Sequence, residues 1–165
     1  MRKPARRDDI PPRRSENTKR RLADDVPLAA RAQLLATVRF AGSSKHKRNP
    51  SIFGLEPFRG VRGDATLCDA HANFQPADMV RVPSLIRRGV NAGLVGTNVW
   101  TVDDNGWIYE AEITNRDHQE YHAYPVRPAE SIAEKVYERY VRWAEERGNA
   151  ADRQAARNCR AFYGF

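Results

Sequence analysis

Between positions 28 and 42 the apolar side chains Leu28, Ala32, Leu35 and Val38 recur at three- and four-residue intervals, the signature of one helical face. Asp24 and Asp25 precede Pro27, and Gly42 follows the last apolar position, so the spacing predicts a first helix over 28–42. The next stretch, GSSKHKRNPSIFGLEPFRGVRG (42–63), has no period and is rich in Gly, Pro, Ser and bases, which reads as an ordered functional loop or a short strand between turns. Residues 64–73 carry a short helical pattern. Pro83 opens another helix through Leu85, Ile86, Val90 and Leu94, ended by Gly93 or Gly96.

The period then changes from helical to two. NVWTV, the turn DDNG and WIYEAEIT predict a hairpin closed by Asn105-Gly106, and QEYHAYPV follows closely enough to pair antiparallel with the second strand. Alternation places Trp107, Tyr109, Ala111 and Ile113 on one face, taken as the core side, and Glu110, Glu112 and Thr114 on the other. With Tyr121 in the core, His122 and Tyr124 share the surface of the two glutamates. Pro128 begins a last long helix with Ile132, Val136, Tyr140 and Trp143 as a stripe destined for the apolar side of the sheet, and Gly148 ends it. The pattern predicts an α+β fold, N-terminal helices followed by a small antiparallel meander sheet and a long C-terminal helix. It divides the chain into a tail over 1–24, a domain over 25–148 and a C-terminal extension over 149–165.

Composition narrows the functional classes. At 165 residues and 41% hydrophobic content there is enough for one core, and no apolar run is long enough to span a membrane, so a cytoplasmic protein without membrane partners is the expectation. Two cysteines, Cys68 and Cys159, are too few for a disulfide scaffold. The net charge is +7, of which residues 1–24 carry +5. That Pro-containing, apolar-poor segment is expected to be disordered, and it would bind RNA or another nucleic acid in a salt-sensitive way or simply solubilise the protein. A second basic cluster, Lys45, Lys47, Arg48, Arg59 and Arg62 against Glu56 alone, coincides with the aperiodic loop.

That loop also holds His46. Cations around an imidazole favour its neutral form and hold a phosphate beside it, the arrangement required for general-base attack by a ribose 2′-hydroxyl. Lys45 would stabilise charge on the phosphorus, Ser43 and Ser44 would add donors, and Arg48, Arg59 and Arg62 would hold neighbouring phosphates. His122 is the second proton-transfer group on the exposed sheet face, with Tyr124, Glu110 and Glu112 beside it. A plain solvated basic loop and a surface strand histidine are the simpler readings of the same residues. Zinc is a weaker alternative. Cys68 and His71 have C-x-x-H spacing and His118 lies four before His122, yet residues i and i+4 of a strand stand far apart, and no cofactor or metal is assigned. Phosphate-binding, dinucleotide, zinc-protease and serine-hydrolase motifs are absent. Asp103 and Asp104 read as turn residues.

The segment KHKRNPSIFGL, with Lys45-His46 just after an amphipathic helix and Phe53-Gly54 soon after, resembles the lysine-histidine entry of colicin D-like ribonucleases. The wider class is the barnase, EndoU, colicin and RelE group of metal-independent RNA-cleaving toxins, in which helices precede an antiparallel sheet. The resemblance covers about a dozen residues and the order of elements. It implies that Lys45 and His46 contact the scissile phosphate, and a protein inhibitor enters as a further partner. This chain departs from the pattern in carrying a long helix after the sheet. The competing function is a non-catalytic nucleic-acid-binding or regulatory module with a basic N-terminal arm, in which Trp100, Trp107, Tyr109 and Tyr124 stack bases. A third is a protein that binds a protein partner through the tail. The segments RGDATLCDAHANF and YHAYP carry no assigned chemistry.

Overall fold

The structure, a computed structural model, describes Ile10 and residues 19–165. In chain order the elements are α1 (Leu28–Thr37), β1 (Arg39–Phe40), α2 (Cys68–His71), α3 (Val82–Asn91), β2 (Val99–Val102), β3 (Ile108–Asn115), β4 (Glu120–Pro125), α4 (Ser131–Glu146) and α5 (Ala150–Tyr163). The fold is α+β. The hairpin and meander form as the period of two predicts: Gly106 takes φ 91°, its N–H bonds to the Asp103 carbonyl, and the Asp103 side chain accepts from the Trp107 amide. Asp103 and Asp104 are turn residues as expected.

The sheet order is β1-β4-β3-β2, and it is mixed rather than purely antiparallel, because β1 runs parallel to β4 with Arg39 opposite Glu120. The first helix accordingly ends at Thr37, short of the predicted Gly42. Two β-branched residues, Thr37 and the C-cap Val38, close it, and the amides of Arg39 and Ala41 bond instead to the carbonyls of Gln119 and Tyr121. The expected Asp24 and Asp25 cap is also absent: Pro27 is the capping residue, with no side-chain bond.

Both faces of the sheet are buried, which the alternation did not convey. Val99 and Ala111 pack with Val82, Ile86 and Val90 of α3. Trp100, Val102 and Ile108, of opposite parity, pack with Ile132, Val136 and Tyr140 of α4. The C-terminal stripe therefore lies on the face opposite the one assigned from sequence, since β2 is apolar at every position. Residues 149–165 are not a separate extension. Asn149 and Asp152 form a capping box, and α5 buries Cys159 and Tyr163 in the same core, the Tyr163 hydroxyl donating to the Val126 carbonyl.

Of the predicted tail, residues 1–9 and 11–18 lie outside the described residues. Ile10 and Arg20 are buried and Leu22 bridges Gly96, so ordered chain begins before residue 25. Among the described residues no helix is long and apolar enough to cross a membrane.

The contact between α3 and β2 depends on Gly89, where an added Cβ would stand 2.0 Å from the Trp100 carbonyl oxygen. Because that obstacle is backbone, Gly89→Ala is expected to destabilise the protein by roughly 1–3 kcal/mol, lowering the thermal midpoint by several degrees in a circular-dichroism melt. An unchanged midpoint would contradict this packing.

Candidate functional site around His46 and His122

Antiparallel pairing of β3 with β4 sets Glu112 opposite His122 and Glu110 opposite Tyr124, so four chemistry-bearing side chains occupy one face at two adjacent rungs. The loop after β1 then turns across the sheet edge. Ser44–His46 forms a single 3₁₀ turn, closed by bonds from the His46 and Lys47 amides to the Ser43 and Ser44 carbonyls. This turn delivers the His46 ring onto the same face, stacked on Tyr124 at 4.6 Å and on His122 at 5.6 Å between ring centroids, with 17° between the two imidazole planes.

Each imidazole is held by one nitrogen. His46 Nδ1 lies 2.9 Å from the Thr66 carbonyl oxygen, which can only accept, so Nδ1 carries the proton and Nε2 is left bare in the neutral ring. His122 Nδ1 lies 2.5 Å from Thr114 Oγ1, leaving its Nε2 for chemistry as well. The Tyr124 hydroxyl donates to Glu112 at 3.2 Å. Burial pushes the His46 pKa down to about 4, with the Thr66 bond opposing and His122, Lys45 and Lys47 reinforcing the effect. His122 is also lowered by burial, against the pull of Glu112. Tyr124 is held protonated by burial and by the Glu110 and Glu112 carboxylates. At neutral pH the site therefore consists of two neutral imidazoles and a phenol.

Glu110 is fully buried beneath this face. Its carboxylate is paired with Arg20, whose other nitrogen donates to Glu130 at 2.7 Å, and it accepts from Asn98 at 2.5 Å. A groove of about 260 Å³ runs beside His122, lined by Gly42, Ser43, Ser44, Glu56, Thr114 and Glu120 among others. His46 itself is only 6% exposed.

The remaining sequence candidates divide into two groups. Lys45 is exposed and close enough to lower both imidazole pKa values, while Arg48 and Arg59 are exposed on the same loop region. Arg62 turns inward: Nη2 donates to the carbonyls of Lys47 at 2.8 Å and Ser44 at 3.3 Å, so it braces the turn that carries His46. Trp100, Trp107 and Tyr109, put forward above as base-stacking residues, are instead core residues at 0%, 2% and 7% exposure, and only Tyr124 of that set lies at the site. His118 is exposed in the turn before β4, and Cys68 and His71 are engaged elsewhere, with the Ala123 carbonyl and the Leu67 amide. Among the described residues no group of three or more His, Cys, Asp or Glu side chains could hold a metal ion.

Sequence reasoning missed Arg20, Thr66 and Asp69, and weighed His71 only as a zinc ligand. Asp69 accepts from the Arg48 and Asn49 amides at 2.8 and 2.9 Å, tying the His46 loop to α2. The only sequence signal was the unassigned segment RGDATLCDAHANF, which contains three of these four residues. No protein-family model, curated protein or solved structure matches the chain.

The His46 pKa generates a stability prediction. An unfolded imidazole titrates near 6.5 and the folded one near 4, so the unfolded state binds the extra proton as pH falls through that window. Stability present above pH 6.5 is lost toward pH 4, by on the order of 3 kcal/mol in the limit of full burial. Asp103, raised by burial to about 6, acts with the opposite sign, its contribution being present below about pH 4 and lost above 6. His46→Asn, which keeps a donor for Thr66 and cannot titrate, isolates the first effect. Urea unfolding at several pH values is expected to show a shallower acid loss in His46→Asn than in the wild type.

Proposed function

We propose that the protein is an RNA-cleaving, toxin-like, metal-independent endoribonuclease that works through its histidine pair and Lys45. The observation that carries the reading is the convergence of His46 and His122, distant in the chain, as stacked rings whose Nδ1 atoms are both engaged and whose Nε2 atoms are both left for proton transfer. Neutral His46 takes the proton of a ribose 2′-hydroxyl through Nε2, and the 2′-oxygen attacks phosphorus. The bond to the 5′-oxygen breaks, and protonated His122 supplies the proton that oxygen needs, leaving a 2′,3′-cyclic phosphate. Lys45 faces the charge that builds on the phosphoryl oxygens, and Tyr124, its hydroxyl donating to Glu112, stacks on His46 and orients that ring. Arg48 and Arg59 serve flanking phosphates, whereas Arg62 supports the loop that carries His46.

The local likeness of KHKRNPSIFGL to the colicin D-like ribonucleases supports the same reading, and a protein inhibitor is its natural partner. Because His46 is buried, residues 43–47 must part when substrate binds. The opposing cations on this loop and the anionic backbone of RNA supply the attraction for that movement.

The test uses purified protein and a mixed-sequence RNA in EDTA. His46→Ala is expected to reduce cleavage at least a hundredfold while leaving RNA affinity within a few-fold. In the wild type, kcat/KM needs His46 unprotonated and His122 protonated. It should therefore rise through about pH 4 and fall again below the usual imidazole value, giving an optimum in mild acid. An absence of cleavage at any pH, with salt-sensitive RNA binding retained, would instead identify a binding module.

A further inference from the structure

The peptide bond joining Thr66 to Leu67 is bonded at both ends to an imidazole. Its carbonyl takes the Nδ1 proton of His46 at 2.9 Å, and its N–H donates to Nδ1 of His71, also at 2.9 Å. We propose that His71 is a positioning residue for His46, acting through this single peptide unit to hold and polarise the Thr66 carbonyl that keeps the His46 ring oriented with Nε2 bare. This inference rests on the catalytic reading of His46 for its functional consequence, but the link itself is independent of it.

Three observations support the assignment. Thr66 is buried, so its carbonyl has no water to fall back on and must find its donor in His46. A peptide group whose N–H is already donated becomes a better acceptor at its oxygen, because the two hydrogen bonds polarise the same amide in the same sense. The bond from Leu67 also requires an unprotonated Nδ1 on His71, so His71 must be neutral with its proton on Nε2. The surroundings favour that state. His71 is lowered by burial and then by the Arg127 and Arg48 cations, with Asp69 pulling the other way. His46 is faced by His122, Lys45 and Lys47. Protonation of His71 in acid removes the acceptor from Leu67 N–H and releases the orienting bond.

The fold gives this arrangement few alternatives. His71 is the last residue of α2, and Leu67 is the residue before its first turn, so the imidazole reaches back over four positions to cap its own helix. Cys68 donates to the Ala123 carbonyl at 3.5 Å, fixing that turn on the sheet next to His122 and Tyr124. The His46 loop and the sheet are thus both tied to the turn that carries this peptide.

The experiment is nitrogen-resolved NMR on the full chain with two variants. His71→Asn keeps an acceptor at the Nδ1 position, and His71→Leu removes it. In the wild type a scalar coupling across the N–H···N bond between Leu67 and His71 is expected, together with a downfield, slowly exchanging His46 Nδ1 proton. His71→Leu should move that proton upfield and speed its exchange, and His71→Asn should restore both. In the cleavage assay His71→Leu should lower kcat roughly tenfold to a hundredfold with KM little changed, again restored by Asn. An unmoved His46 Nδ1 proton in folded His71→Leu overturns the proposal. If that variant does not fold, the wild-type coupling decides, and its absence overturns the proposal equally. A chain that cleaves no RNA but shows the NMR pattern refutes the ribonuclease reading and leaves the link standing.

Discussion

A carboxylate without solvent governs the architecture. Glu110 lies in the middle strand of the meander with no exposed surface, and a buried anion of that kind is tolerated only when cations and donors surround it. Arg20 meets that requirement, with Asn98 as a further donor, and Arg20 is in turn shared with Glu130 at the start of α4. One ion cluster therefore joins the segment before α1, the central strand and the C-terminal helices. It also divides one sheet face in two. On one side of Glu110 the face is apolar and covered by α4, through Trp100, Val102 and Ile108. On the other it is polar and carries His122 and Tyr124. Removal of Arg20 would leave the charge of Glu110 uncompensated beside Tyr124, so the integrity of the polar half depends on a residue outside the strands.

The other half of the site depends on a loop with almost no regular structure of its own. Between β1 and α2 the backbone is held by side chains that bind main-chain groups. Arg62 caps the carbonyls of Ser44 and Lys47, Asp69 takes the amides of Arg48 and Asn49, and His46 meets the Thr66 carbonyl. Lys47, adjacent to His46, points away from the histidine pair, with its ammonium over the rings of Phe53 at 5.1 Å and Phe74 at 5.5 Å. Alternate residues of the segment thus face opposite ways: Lys45 to solvent, His46 to the sheet and Lys47 to an aromatic cage. A loop held by several polar anchors and by cation–π contacts of Lys47 and Arg62 is positioned well enough to aim an imidazole, yet it lacks the continuous ladder that would make it immovable.

The parts of this site that alternation controls were legible in the sequence. His122, Tyr124, Glu110 and Glu112 share a face because a strand has a period of two, and a short hairpin sets the register that pairs them. The parts that depend on long-range chain reversal were not. No period says that Arg20 reaches Glu110, or that β1 adds in parallel beside β4, and the second apolar set on β2 was masked because a strand buried on both sides has no contrast to read. His71 looked like half of a zinc site, since C-x-x-H spacing matches a one-turn helix as readily as a ligand pair. Its Nδ1 is in fact used by the amide four residues earlier. The basic loop stood out by composition, but the arrangement within it, Arg62 inward and Lys45 outward, follows from which carbonyls the fold leaves for a side chain to meet.

The proton content of the pair connects this architecture to its proposed chemistry. Two imidazoles stacked at 5.6 Å and largely shielded from water disfavour double protonation strongly, so the free site holds at most one proton over most of the pH range. A phosphodiester changes that balance. Its negative charge, delivered next to Lys45, would favour the protonated form of the ring it approaches, and in the proposed reaction that ring is His122, which lines the groove from which the buried His46 is screened. In the proposed reaction substrate binding and proton uptake would then be linked, the anion generating the acid that its own leaving oxygen requires. The burial that depresses both imidazoles thereby keeps the free site from holding the acid and base forms at neutral pH, so the proposed reaction would assemble them only around a bound phosphate.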